Sequence, residues 1–307
     1  MSLYYQPSNK MPVSGALICL LGGVVAAAVL AVVYVYAIWY IPFVYINLFI
    51  CLGFGFALAM VMILLVRAGK IRNPRGASML SLVVGLAAVY LEWTMYLTLL
   101  LNSETTGTGK DADTSTSFSF SLFVDVLTHP ARMWEYILRL NETGSWSLKG
   151  ATPSGTFLWL IWAIELLLIV GLPYLLARSQ ASDPFSESAN EWAEEEALAH
   201  PIGFASDVAS TRSALESGQF NSLTPHLTEA DEEQFARLRL YHVPNDPFCH
   251  YLTLDNVTKK LDSKGKSTET TENVVQHLTI SSATYQELKR RFGTLPVATR
   301  QAAQESV

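Results

Sequence analysis

Four stretches of this chain, about 13–38, 43–66, 78–101 and 157–177, are predominantly apolar and contain no lysine or arginine. Each reaches the roughly 20 residues that an α-helix needs to cross a ~30 Å hydrocarbon layer. Inside that layer backbone N–H and C=O groups must be paired without water, so a lone apolar stretch crosses as a helix. The sequence thus predicts a membrane all-α four-helix transmembrane bundle, followed by a small α+β cytoplasmic C-terminal domain.

Composition agrees with this reading. Of 307 residues, 50% are apolar and 16% charged, against about 25% charged in ordinary soluble domains. Residues 1–178 carry 10 Lys/Arg and 8 Asp/Glu, whereas residues 179–307 carry 11 and 19. An apolar half is therefore joined to an acidic, polar half. Global disorder, a basic nucleic-acid-binding protein and a disulfide-stapled secreted domain are all disfavoured. Cys19, Cys51 and Cys249 lie far apart and give no disulfide framework.

The first span is too long for the core of a signal peptide and runs on through Tyr34, Tyr36, Trp39 and Tyr40, an expected interfacial belt. Pro42 breaks it, and spans one and two form a tight hairpin. Arg67, Lys70, Arg72 and Arg75 between spans two and three are a cytoplasmic signal, and Lys10 and Arg178 fall on the same side. Both termini are expected in the cytoplasm of a cell inner membrane, with loop 102–156 outside.

In that loop, residues 102–117 read as irregular. The segment at 107–111 only brushes against a phosphate-loop pattern, since no glycine sits five residues before Gly109 and Asp111 replaces the metal-binding hydroxyl. Pro130 opens a short surface helix with Met133, Trp134, Ile137 and Leu138 on one face. Asn141-Glu142-Thr143 forms a glycosylation triplet, meaningful only in a eukaryotic secretory route.

Two acids lie at membrane depth, Glu92 in span three and Glu165 in span four. An ionisable group there costs about 2.5–3.5 kcal/mol or more. Counted along each helix, both sit roughly 12–14 Å below the outer boundary, so antiparallel neighbours would bring them level. Two carboxyls in one water-poor site cannot both hold a charge unaided, and they then share a proton, bind a cation or bridge helices. Tyr96, one turn beyond Glu92, could donate to it, and Asn47 in span two is a weaker polar candidate. Small residues at Ser78, Ser81, Gly85 and Ala88, and at Gly15, Cys19, Gly22 and Ala26, mark helix-packing stripes. We expect spans one and three to meet through them.

Residues 179–231 read as an acidic juxtamembrane helix, with Ser188-x-x-Glu191 as a capping box and Glu194, Glu195 and Glu196 on a solvated face, followed by a linker over 199–230. Residues 232–293 form the small cytoplasmic domain. Strands are expected at 235–243, 250–261 and 273–280, with turns at 244–247 and 264–266. A closing helix at 285–292 opens on Thr284-x-x-Glu287. Residues 294–307 read as a frayed tail. His242, Cys249, His250 and His277 lack metal-ligand spacing, so no metal or cofactor is expected. With no recognised catalytic motif, the expected function is a non-enzymatic scaffold or signalling subunit of a membrane complex. Its partners would be the lipid bilayer and a membrane protein or second copy, and not nucleic acid. The alternative is a small ion- or proton-coupled transport component using Glu92 and Glu165.

Overall fold

The computed structural model describes residues 2–41, 43–106, 113–144, 152–198, 201–224, 233–261 and 267–293. The chain divides into two compact units. One is Ser8–Ser182, and the other joins Met1–Pro7 to Asp183–Val307.

In the first unit, α1 (Val13–Tyr40), α2 (Val44–Ala68) and α3 (Pro74–Leu101) are followed by β1 (Ser103–Thr106) and β2 (Asp113–Thr116). Then come α4 (Phe120–Thr128), α5 (Pro130–Thr143) and α6 (Gly155–Gln180). The helices α1, α2, α3 and α6 are long and apolar enough to cross a membrane. The 28 residues of α1 and of α3 extend about 42 Å, beyond the ~30 Å core. Asn73 caps α3 by accepting from the Gly76 N–H at 2.8 Å, with Pro74 at the first helical position. Pro42 lies outside the described residues, between the end of α1 and the start of α2.

The four helices pack as a ring, in which α1 and α6 each lie against both α2 and α3. Missing side chains allow this closeness. A Cβ on Gly15 would stand 2.0 Å from the Gly69 carbonyl oxygen at the end of α2, and one on Gly55 of α2 would stand 2.5 Å from the Leu168 oxygen of α6.

The packing stripe on α1 differs in phase from the expected one. Its buried small residues are Gly15, Cys19, Gly23, Ala27 and Ala31, at steps of four. Gly22 and Ala26 are half-buried, and Gly22 faces Leu65 of α2. On α3 the expected residues Ser78, Ser81, Gly85 and Ala88 are all buried. Gly85, however, meets Val170 of α6, while it is Val84 that meets Gly23 of α1. A helix flanked by two neighbours buries a broad arc, so one stripe serves different partners along its length. Tyr34 also departs from expectation, being 3% exposed and stacked on Phe54 of α2 at 5.0 Å rather than facing the interface.

Outside the ring, β1 and β2 pair as an antiparallel hairpin where an irregular segment was expected, since threonines favour extended backbone. The 107–111 segment lies outside the described residues. Pro130 does open α5, with Met133 and Ile137 buried and Trp134 and Leu138 exposed. Asn141 is buried and its amide donates to the Gly155 carbonyl at 3.0 Å, so the triplet is closed to a glycan in this fold.

The second unit contains β3 (Phe185–Ser186), β4 (Glu191–Trp192), β5 (Glu194–Ala197), α7 (Val208–Glu216), β6 (Gln234–Val243), β7 (Asp246–Leu261), β8 (Ser267–Thr279) and α8 (Ser282–Phe292). Strands β5 to β8 form an antiparallel meander in that order. Ala236, Leu238 and Leu240 of β6 enter a core with Leu215 of α7 and Tyr285, Leu288 and Phe292 of α8. Tyr241, Val243 and Tyr251 cluster with Ala193 and with Tyr5 from the chain's first residues.

Three expectations for this half are corrected. The acidic helix at 188–198 is instead the turn between β3 and β4 followed by edge strand β5. Glu194 and Glu195 are exposed, as a solvated face requires, while Glu195 also meets Tyr241 and Glu196 meets Tyr285 and Lys289. The 199–230 linker holds α7 and a backbone bridge from Ile202 to Ala236 within its described part. The closing helix is capped by Ser281, which accepts from the Thr284 N–H at 3.1 Å, one turn before the expected box. The 264–266 turn, Glu232 and the 294–307 tail lie outside the described residues.

The Gly15 contact gives a sharp test. Gly15→Ala should lower bundle stability by about 1–3 kcal/mol through overpacking, whereas Gly53→Ala, with open space around it, should be near neutral. Thermal unfolding of both variants in one detergent checks this, and equal melting temperatures would refute the close-approach account.

Candidate functional site

Each of the four long apolar helices contributes a polar side chain to one region of the bundle. Glu92 comes from α3, Glu165 from α6, Cys51 from α2 and Tyr34 from α1, and they lie near enough to act on one another electrostatically. Tyr34 and Cys51 are hydrogen-bonded to each other. The Cys51 Sγ also lies 4.0 Å from the Glu165 carbonyl oxygen. From sequence alone Tyr34 reads as an interfacial aromatic and Cys51 as a small hydrophobe. The available signal was depth, since Tyr34 lies a turn and a half inside the end of α1.

Glu92 and Glu165 line one cavity of about 370 Å³ between α3, α5 and α6. Glu92 is 7% exposed, and among the described residues no hydrogen bond or ion pair engages its carboxyl group. Rotation of the small-residue face of α3 into the bundle carries Glu92 with it, as its place four residues beyond Ala88 requires. The walls are aromatic. Trp93 meets Trp162 edge to face at 5.0 Å, Trp162 meets Trp159 the same way at 5.1 Å, and Trp159 lies 5.7 Å from Trp134 of α5.

The other expected site residues fall elsewhere. Tyr96 packs edge-on against Trp39 and Trp93, at 5.9 and 6.0 Å. Asn47 is not among the cavity-lining residues, and its Oδ1 is buried without a partner among the described residues. The stripe residues pack helices, and the Ser78 and Ser81 hydroxyls donate to carbonyls one turn back at 2.9 Å.

In the second unit, Asp246 organises the β6–β7 turn. Its carboxylate accepts from Cys249 at 3.0 Å, Ser186 at 2.5 Å, Ser188 at 2.6 Å and the Phe248 N–H at 3.0 Å. These donors hold it well below the usual carboxylate range. Burial and that carboxylate push the Cys249 thiol up. His242 and His250 sit opposite one another in the β6–β7 register and flank the Tyr285 ring, at 5.7 and 4.6 Å. Burial opposes ionisation of Glu196, but bonds from Tyr285 and Lys289 outweigh it and hold its carboxyl below its ordinary range. Among the described residues no three His, Cys, Asp or Glu side chains are grouped to hold a metal ion.

No family model, curated protein or solved structure matches this chain. Its function is therefore read from its own residues.

His277 supplies a pH test. It has φ of 52°, and its ring lies edge-on to Tyr241 at 5.0 Å. Burial first, and then the Arg239 charge, push it down to about 4 from an ordinary value of 6.5. The fold thus binds the neutral ring, so this stability is complete above pH 6.5 and is lost as pH falls toward 4. Over that window the loss is roughly 3 kcal/mol. His250 is shifted in the same direction. Melting the full-length protein between pH 7 and pH 4 should show a steep loss that His277→Asn flattens in part. An unchanged slope in the variant would refute it.

Proposed function

We propose that this protein is a multi-pass subunit of the cytoplasmic membrane, with both termini in the cytoplasm, acting as a non-enzymatic scaffold or signalling component of a membrane complex. One observation carries the reading. The first residues of the chain bridge to β8 in the domain formed by Asp183–Val307. Thr279 N–H donates to the Leu3 carbonyl and Tyr5 N–H to the His277 carbonyl, both at 2.9 Å, with a bridge from Tyr4 to Leu278. The Tyr4 hydroxyl also bonds Glu216.

The sheet domain is therefore tied to the bundle through two covalent joints, one leading into α1 and one leading out of α6. These two helices share α2 and α3 as neighbours. A shift of one against the other would reach the sheet at two places, which suits a device that relays or holds a conformation. Four crossings return the chain to its starting side, and the cationic turn at Arg67, Lys70, Arg72 and Arg75 supports the cytoplasmic assignment. Leu17, Leu21, Val25, Val29 and Val33 leave one face of α1 exposed for lipid or a partner helix.

Cysteines placed at Leu21 or Val29 should cross-link in native membranes to a stoichiometric second chain. Impermeant thiol reagents should reach cysteines in loop 102–156 and spare those at 67–75. A strictly monomeric protein without cross-linkable neighbours would end the subunit reading.

The shared cavity of Glu92 and Glu165 favours a second reading, ion- or proton-coupled transport. In proteoliposomes, Glu92→Gln combined with Glu165→Gln should then abolish a flux that the native protein supports. Unchanged fluxes would remove this reading.

A further inference from the structure

The cavity between α3, α5 and α6 has a chemistry that neither the subunit reading nor the transport reading requires. Its volume of about 370 Å³ lies within the range of small-molecule sites. Trp93, Trp134, Trp159 and Trp162, with Met133 and Ile137, supply an apolar and strongly aromatic wall, and among the described residues its carboxyl groups are those of Glu92 and Glu165. Trp134 and Trp159 remain partly exposed at 51% and 37%, while Glu92 is buried without a partner among the described residues.

Each class of occupant can be weighed against these walls. A divalent metal ion asks for six or more oxygen ligands, and two carboxyl groups set in carbon do not provide them. A proton needs no cavity of this size. A neutral acyl chain would fill the space but leave a buried carboxyl group without a partner. An organic cation meets all the demands at once. Its charge answers the carboxylates, and its apolar envelope fills the aromatic wall. Edge-to-face tryptophans present ring faces whose negative quadrupole attracts ammonium groups.

We propose that this cavity binds a small lipophilic organic cation, a quaternary or protonated amine with an aromatic or aliphatic body, held between the Glu92 and Glu165 carboxyl groups, which together carry one negative charge, and the faces of the tryptophan cluster. The site uses the same acids as the transport reading but does not depend on flux, and it is independent of any protein partner.

The test uses the full-length protein in lipid nanodiscs, with benzyltrimethylammonium as probe and neopentylbenzene as its uncharged isostere. Tryptophan emission and equilibrium binding are read against empty nanodiscs. The cation should bind saturably and more tightly than neopentylbenzene. Affinity should fall by about tenfold or more in Glu92→Gln and in Glu165→Gln, and binding should vanish in the double variant. Trp162→Leu should weaken the cation more than the isostere. If Glu92→Gln does not yield a folded protein, Glu165→Gln and the cation-to-isostere ratio of the native protein decide the matter.

Equal binding of cation and isostere, or full binding by a folded double variant, would overturn the proposal in favour of a plain apolar groove. Absence of saturable binding to protein freed of co-purifying chains would overturn it in favour of a helix-docking surface. Binding without flux in proteoliposomes would remove the transport reading and leave the site standing.

Discussion

The bundle depends on backbone approaching backbone where side chains are missing. Lipid tails are as apolar as leucine, so helices in a membrane gain little by hiding from them, and close packing must hold the helices together. Each side of the ring has a close contact at a glycine, to backbone at Gly69, Leu168 and Val170 and to a side chain at Leu65 and Val84. Gly15 meets Gly69 and Gly22 meets Leu65 between α1 and α2, and Gly23 meets Val84 between α1 and α3. Gly55 meets Leu168 between α2 and α6, and Gly85 meets Val170 between α3 and α6. These contacts set the rotation of every helix, and rotation decides which side chains face inward.

The polar chemistry follows from that rotation. With its small face turned into the ring, α3 cannot present Glu92 to lipid, and α6 brings Glu165 to the same cavity. The tryptophans of α3 and α6 close the space with Trp134 of α5, an amphipathic helix opened by Pro130. A charged or hydrogen-bonding group in such surroundings interacts far more strongly than in water, because the low dielectric does not screen it. The same packing that makes the acids costly to keep gives them a defined place to act.

The sheet domain shows a different economy. Its meander uses both faces, one against α7 and α8 and the other around Tyr241, Tyr251 and the incoming Tyr5. Strands β6, β7 and β8 were legible because β-branched and aromatic residues recur between turn signals. The strand β5 was not. Its Glu194-Glu195-Glu196 run favours helix by propensity, and only Tyr241, Tyr285 and Lys289, remote in sequence, make an edge strand the better place for it. The stretch at 199–230 reads as linker because Ser, Thr, Gly and Pro recur in it, yet Ile202 and Leu215 enter the core.

By itself the sequence determined that four helices are long and apolar enough to cross a membrane, because in a hydrocarbon layer a lone apolar run of that length satisfies its backbone hydrogen bonds as a helix. It also determined that two acids lie at a common depth, since depth is a count of residues along a helix of fixed rise. Only the tertiary structure decided that α1 and α6 each touch both other helices, and that Glu92 and Glu165 share a cavity. It alone brought Tyr34 and Cys51 beside those acids and added the first residues to the sheet at β8. Helix rotation and partner choice are set by contacts between residues far apart in the chain, which local periodicity does not encode.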